Sequence, residues 1–178
     1  MKRIQFLSLF PIVGCATKLV AANKTVPKTR SNGVSEQGKM NMPKLTTYLL
    51  LDGKCKSAME FYKSVFGGVL TLTKVGESAM KDMMPPTMHD RVVNSRLISQ
   101  GIDISASDWL RPNQKPIQGN TVCLYLSGGT FGELKALFAK LSEGAEVTDP
   151  LKQEFFGTYG ALNDQFGVRW MFQTEKTK

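Results

Sequence analysis

From residue 47 onward the chain switches between two hydrophobic periods. Tyr48–Leu51 is a continuous apolar run closed by Asp52 and Gly53, and it reads as a short buried strand. Ala58, Phe61, Tyr62 and Val65 then recur at helical spacing, giving a helix one apolar face, and Gly67-Gly68 supplies its left-handed stop. Val69–Val75 alternates Val69, Thr71, Thr73 and Val75 against Leu70, Leu72 and Lys74, and its β-branched content predicts a strand. Residues 76–90 carry Met80, Met83, Met84 and Met88 around Pro85 and Pro86. A connection of that length predicts a mobile lid or binding loop, its methionines lining an adaptable pocket or covering one end of the core. Arg91–Ser99 and Ile102–Ala106 predict a hairpin around Gln100-Gly101. In it Asn94, Arg96 and Ile98 share one face; Val93, Ser95 and Leu97 share the other, which suits the helix-covered side.

The opening unit then returns. Thr121–Leu126 is its strand, and Thr130 with Glu133 forms a capping box after Gly128-Gly129. Leu134, Leu137, Phe138 and Leu141 make the second helix face, and Gly144 ends it. Val147, Tyr159–Asn163 and Val168–Gln173 supply further strands, with Asp164–Gly167 as the last turn. In the loop of residues 107–120, Trp109 is expected to pack against the sheet edge. Each half reads β-α-β-β-β, an internal duplication. The pattern therefore predicts an α+β fold, two βαβββ repeats forming one curved mixed sheet around a cleft, with both helices on the outer face. Asn94 and Arg96 would point into that cleft. Arg96 offers a fork of donors suited to a carboxylate or phosphate, or else it reaches solvent or pairs with a neighbouring acid. Phe155, Phe156 and Tyr159, near the opposite wall, would stack on a ligand or fill the core.

Composition changes this picture mainly at the N-terminus. The net charge of +8 is uneven: through Thr46 there are 8 Lys or Arg against Glu36 alone, and the remainder holds 15 basic and 14 acidic residues. The folded part is thus near neutral, and nucleic acid is not expected as its partner. Lys2 and Arg3 precede the apolar stretch Ile4–Gly14, too short to span a membrane and ending in Ile12-Val13-Gly14-Cys15. That ending resembles the lipobox of bacterial lipoproteins. It implies a signal sequence over residues 1–22, lipidation at Cys15 and anchoring in the cell envelope, facing the periplasm or the outside. Val20-Ala21-Ala22 offers an ordinary secretory cleavage site instead, and a start at Met40 or Met42 would leave the protein cytoplasmic. Residues 23–44 read as a flexible basic tether and 45–175 as the domain. Cys55 and Cys123 fall in different halves, and the default is two free thiols.

The stretches YLLLDGKCKSAMEFYKSVFGG, DRVVNSRL, DISASDW and LSEGAEVTDPLKQEFFGTYGALNDQFGVRWMF follow one another in the order of a known family. The domain resembles the PhnB-like branch of the vicinal oxygen chelate superfamily, which also holds glyoxalases, extradiol dioxygenases, and bleomycin and fosfomycin resistance proteins. The resemblance implies a cleft, a homodimer and, in family enzymes, one divalent metal held by His, Gln or Glu from three strands. At the corresponding places this chain has Thr47, then Val122-Cys123-Leu124, then Met171, and Asn94 where PhnB-like relatives commonly carry His. The expected ligands are missing, and no cofactor is predicted. From the residues alone the same follows: His89 is the one histidine, and a divalent site needs several converging donors. The sequence shows no nucleophile elbow, no CxxC and no phosphate-binding glycine loop.

The leading expectation is a small organic ligand bound without a catalytic metal, with Asn94, Arg96, Phe155 and Tyr159 as candidate contacts. One alternative is a metal-dependent lyase or dioxygenase with non-standard ligands drawn from His89, Asp103, Glu154 and Cys123. The other is a dimeric interaction module with a vestigial cleft.

Overall fold

A computed structural model describes residues 43–175 except residue 112. The lipobox, Cys15, the signal sequence, the alternative starts and nearly all of the tether lie outside the described residues. The first half runs β1 (Thr47–Leu51), α1 (Cys55–Phe66), β2 (Val69–Lys74), β3 (Val92–Ser99) and β4 (Ile102–Asp108). The second runs β5 (Leu124–Ser127), α2 (Phe131–Leu141), β6 (Glu146–Glu154), β7 (Gly157–Asn163) and β8 (Arg169–Glu175). The duplication is therefore real at the level of structure, and each half is one βαβββ module.

The expected single sheet is instead two four-stranded sheets, ordered β1-β4-β3-β2 and β5-β8-β7-β6. Each is mixed: β1 runs parallel to β4 and β5 parallel to β8, while the remaining neighbours are antiparallel. The sheets do not join because the facing edges, β1 and β5, are separated by open space. Leu49–Leu51 and Val122–Leu124 flank a cavity of about 180 Å³ there. Thr47 and Cys123–Leu126 flank another of about 210 Å³.

One apolar core unites the modules. Tyr62, Met59, Leu97, Trp170, Phe172, Leu141 and Leu162 are buried within it. Alternation along the strands supplies these residues from one face of each sheet, and the helical period of α1 and α2 supplies the rest. Tyr62 packs edge-on against Trp170 with ring centroids 5.5 Å apart. The two rings then converge on one buried carboxylate: the Tyr62 hydroxyl (2.7 Å) and the Trp170 indole N–H (2.9 Å) both donate to Asp164 Oδ2. The other oxygen, Oδ1, accepts the backbone N–H groups of Phe166 and Val168, each at 2.9 Å. Asp164 thus closes the β7–β8 turn and ties it to α1. Burial and the neighbouring Asp164 charge push the Tyr62 hydroxyl far above its ordinary pKa, so it stays a donor.

A second buried carboxylate does similar work in the first module. Asp108 takes the Cys55 N–H (3.1 Å) and the Val92 N–H (2.8 Å), which fixes the start of α1 to the end of β4. α2 begins on the expected capping box, with the Glu133 N–H donating to Thr130 Oγ1 (3.2 Å) and the Thr130 N–H donating to Glu133 Oε2 (2.7 Å). The backbone N–H of Trp109 donates to Leu51 O at 2.6 Å, tying the chain after β4 to the end of β1.

Three local readings change. The connection after β2 is three short 3₁₀ turns, Val75–Glu77, Lys81–Met83 and Pro86–Met88. His89 braces it, with Nε2 3.0 Å from Lys81 O and 3.1 Å from Met84 O. The short strand at Val147 is in fact nine residues long, because a charged edge strand tolerates Pro150 and two register shifts that mask its period. Val93 does not follow Ser95 and Leu97 inward: a register shift between Thr73 and Lys74 lets Val92 fill that place.

Candidate functional site

The face of each sheet that does not pack on the core is uncovered and partly apolar. On the first sheet the alternation brings Tyr48 and Leu50 of β1, Asn94, Arg96 and Ile98 of β3, and Asp103 and Ser105 of β4 to that side. Tyr48, Leu50 and Ile98 are about half exposed there, at 53%, 48% and 49%. The expected split of β3, with Asn94 and Arg96 outward and Ser95 and Leu97 buried, is what the structure shows.

Arg96 is not a free cation. Its Nε donates to Asp103 Oδ1 and its Nη2 to Asp103 Oδ2, both at 2.9 Å, a bidentate pair across the hairpin. Lys44 adds a third bond, Nζ to Asp103 Oδ2 at 2.8 Å. Hydrogen bonds from Arg96 and then Lys44 hold the Asp103 carboxyl far below the usual carboxylate range, and the same pairing raises the guanidinium. Two cations on one carboxylate leave one positive charge over. The cluster can therefore both accept and donate, beside an aromatic ring and two aliphatic side chains.

This arrangement has a pH signature. A carboxyl depressed in the folded state contributes stability above its unfolded pKa, roughly 3.9, and loses that contribution as pH falls toward the folded value. The difference in thermal midpoint between wild type and Asp103→Asn should therefore be largest near pH 6 and shrink toward pH 3. A difference that stays constant across that range contradicts the pairing.

The remaining predicted contacts lie on the second module. Tyr159 is on the same uncovered side as Met171 and Gln173, opposite Gln173 in the β7–β8 ladder. Phe155 and Phe156 form the β6–β7 turn, Phe155 at 85% exposure, with their rings edge-on at 5.0 Å. Phe156 in turn lies 6.3 Å from Tyr159. Asn94 and Arg96 thus share one sheet face, and Phe155 and Tyr159 share another. None of these four side chains lines the two cavities between β1 and β5.

Those cavities instead collect some of the positions at which the family resemblance implies metal ligands, Thr47 and Cys123 but not Asn94 or Met171. Thr47 and Cys123 both line the cavity of about 210 Å³, together with Asp103, Tyr125 and Trp170. A hydroxyl and a thiol beside an ion-paired carboxylate are a poor donor set for a divalent ion. Tyr125 is engaged as well, its hydroxyl donating to Gln173 Oε1 at 3.2 Å. Of the alternative ligands, Glu154 pairs with Lys152 at 2.7 Å and His89 binds loop carbonyls. Among the described residues no group of three or more His, Cys, Asp or Glu side chains is placed to hold a metal ion. Cys55 and Cys123 are both free thiols. Burial pushes the Cys55 thiol up to about 11, so it is inert at neutral pH.

That Arg96 pairs with a neighbouring acid was one of the readings its sequence allowed, and the structure names the acid as Asp103. With Gln100-Gly101 as a two-residue turn, Ser99 faces Ile102 and Ile98 faces Asp103, which puts Arg96 diagonal to Asp103 on one face. Lys44 precedes the first strand and left no such trace.

Paired βαβββ modules with one core define a fold of the glyoxalase and bleomycin resistance protein type. The family model described as 3-demethylubiquinone-9 3-methyltransferase matches residues 43–173, and the chain belongs to that family, within the PhnB-like branch of the vicinal oxygen chelate superfamily. Protein PA1353 from Pseudomonas aeruginosa is 28% identical, with a TM-score of 0.68, covering 76% of this chain and 100% of that one. A putative 3-demethylubiquinone-9 3-methyltransferase, PhnB protein, from Bacillus cereus is 24% identical, with a TM-score of 0.59 and coverage of 74% and 99%. A glyoxylase/bleomycin resistance protein/dioxygenase domain from Frankia sp. shares the fold at 12% identity and a TM-score of 0.53, with coverage of 76% and 100%. No curated protein matches the chain.

Proposed function

We propose that the protein binds a small polar organic ligand on the uncovered face of the first module, without a catalytic metal. The observation that carries this reading is the Arg96–Asp103–Lys44 cluster set beside Tyr48 and Ile98. A site with both donors and an acceptor selects a ligand that has both, such as a hydroxy acid or a singly protonated phosphonate, over an acceptor-only keto acid, while the ring and aliphatic surface take its apolar part. Membership of a superfamily that holds small-molecule-binding proteins supports the same reading. Asn94, next to Arg96 on that face, adds an amide. Phe155 and Tyr159 would complete the site from a second copy of the chain, Phe155 standing exposed at the β6–β7 turn.

The test is a thermal-shift panel of small hydroxy acids, keto acids and phosphonates, followed by titration of any hit. Arg96→Gln should weaken a hit by about tenfold or more, since it removes a charge-assisted bidentate contact. Equal binding by the variant moves the site elsewhere.

Export and lipid anchoring at Cys15 belong to the same proposal. The supporting features are the basic start, the short apolar stretch and the small residue before the thiol. A palmitate analogue should label the wild-type chain and not Cys15→Ala; an unlabelled wild type removes the anchor. No helix among the described residues is long and apolar enough to cross a membrane.

A further inference from the structure

The gap between β1 and β5 has a second end, away from Asp103. There the cavity of about 180 Å³ adjoins another of about 280 Å³, and Leu50, Leu51 and Gln118 line both. Together they reach the lower part of the range of small-molecule pockets, roughly 300–1,000 Å³. Arg169 lines the first, and Lys54 and Lys115 line the second. The acid in these walls is Asp52, and it is already taken by Arg91, Nη1 to Oδ1 at 3.1 Å. Lys54, Lys115 and Arg169 make no ion pair with any described residue.

Gln118 gives this end a fixed wall. Its Nε2 donates to Phe166 O at 3.0 Å, seating the 115–118 segment against the β7–β8 turn. Gly167 makes room for it: at φ 82° it takes a conformation that favours glycine, and a Cβ there would lie 2.5 Å from Gln118 Oε1. The contrast with the other end is one of charge. At Arg96 two cations share the Asp103 carboxylate, whereas here Lys54 and Lys115 line one cavity and Arg169 the adjoining one, over Leu50 and Leu51, with no carboxylate paired to any of the three among the described residues. Lys54 and Lys115 are exposed and Arg169 is half-buried, and the positive potential they set up at the mouth of the gap favours an anion.

We propose that this end of the gap is a binding site for a small organic anion, a carboxylate or phosphate monoester with a short apolar body. The anionic group meets Lys54, Lys115 and Arg169, and the apolar body lies on Leu50 and Leu51. The site is separate from the Arg96 face and does not depend on it.

The experiment is a titration of the ¹⁵N-labelled chain with hexanoate, phenyl phosphate and hexylammonium, read at backbone amides. Hexanoate or phenyl phosphate should shift Gln118, Gly119, Val168 and Arg169 saturably, and their relative affinities distinguish carboxylate from phosphate. Hexylammonium should not shift them. A Lys54→Gln/Lys115→Gln double variant should bind about tenfold more weakly, and Arg169→Gln, on a different strand, should weaken binding in the same direction. Arg96→Gln should leave the titration unchanged. The proposal is overturned by an absence of saturable shifts, or by equal shifts with hexylammonium. Wild-type affinity in the folded lysine and arginine variants, or loss of binding in Arg96→Gln, overturns it as well.

Discussion

Replacing Asp164 with alanine should cost about 3 kcal/mol or more of stability and lower the thermal midpoint by about 10 °C. The substitution strands two buried side-chain donors, the Tyr62 hydroxyl and the Trp170 indole N–H, and also two backbone N–H groups of the β7–β8 turn. Both rings are fully buried, so water cannot substitute without opening the core. Asp164→Asn should be nearly as damaging. An amide has one acceptor oxygen, and its NH₂ would face donors on the other side. Tyr62→Phe removes a single bond to the same carboxylate and should cost less, about 1.5–3 kcal/mol. Calorimetric midpoints of the three variants check the ordering. A midpoint for Asp164→Ala within about 2 °C of wild type contradicts the role given to this carboxylate.

The second large effect is expected at Gly68. Its φ is 85°, and an added Cβ would lie 2.2 Å from the backbone oxygen of Ile98 and 2.7 Å from Ser99 Cβ. Ile98 stands opposite Val69 on one side and Asp103 on the other, so any shift there disturbs the register that sets Arg96 against Asp103. Gly68→Ala should therefore lose about 3 kcal/mol, the left-handed strain plus a clash with immovable backbone. Gly67 is the control. At φ 69° and ψ −155° it sits in a region essentially reserved for glycine, with nothing within 4 Å of an added Cβ, so Gly67→Ala should lose only the conformational part, about 2 kcal/mol. Equal losses at the two positions in urea unfolding would show that the Ile98 contact is not what constrains Gly68.

Much of the fold was legible because hydrophobic period and stop signals agree along the chain. The helix faces at Ala58–Val65 and Leu134–Leu141 and the strand faces at Asn94–Ile98 are all set by local alternation. What was not legible depends on partners distant in sequence. Whether two modules share one sheet is decided where β1 meets β5, and neither strand's own pattern records the gap between them. β6 hid its length because an edge strand carrying Pro150 and charges has no period to read. Asp164 looked like an ordinary turn residue, since its two ring partners are Tyr62, on α1, and Trp170, beyond the turn on β8. The candidate site divides the same way. Arg96 was visible from its face, but its pairing required the hairpin register, and the cations at the far end of the gap come from three separate segments.

Metal-independent binding at Arg96 is tested by calorimetric titration of a panel hit with and without chelator. The affinity should be the same in EDTA, in Mn²⁺ and in Ni²⁺, with binding weakened in Arg96→Gln under all three conditions. Binding that vanishes in EDTA and returns with stoichiometric metal would contradict it.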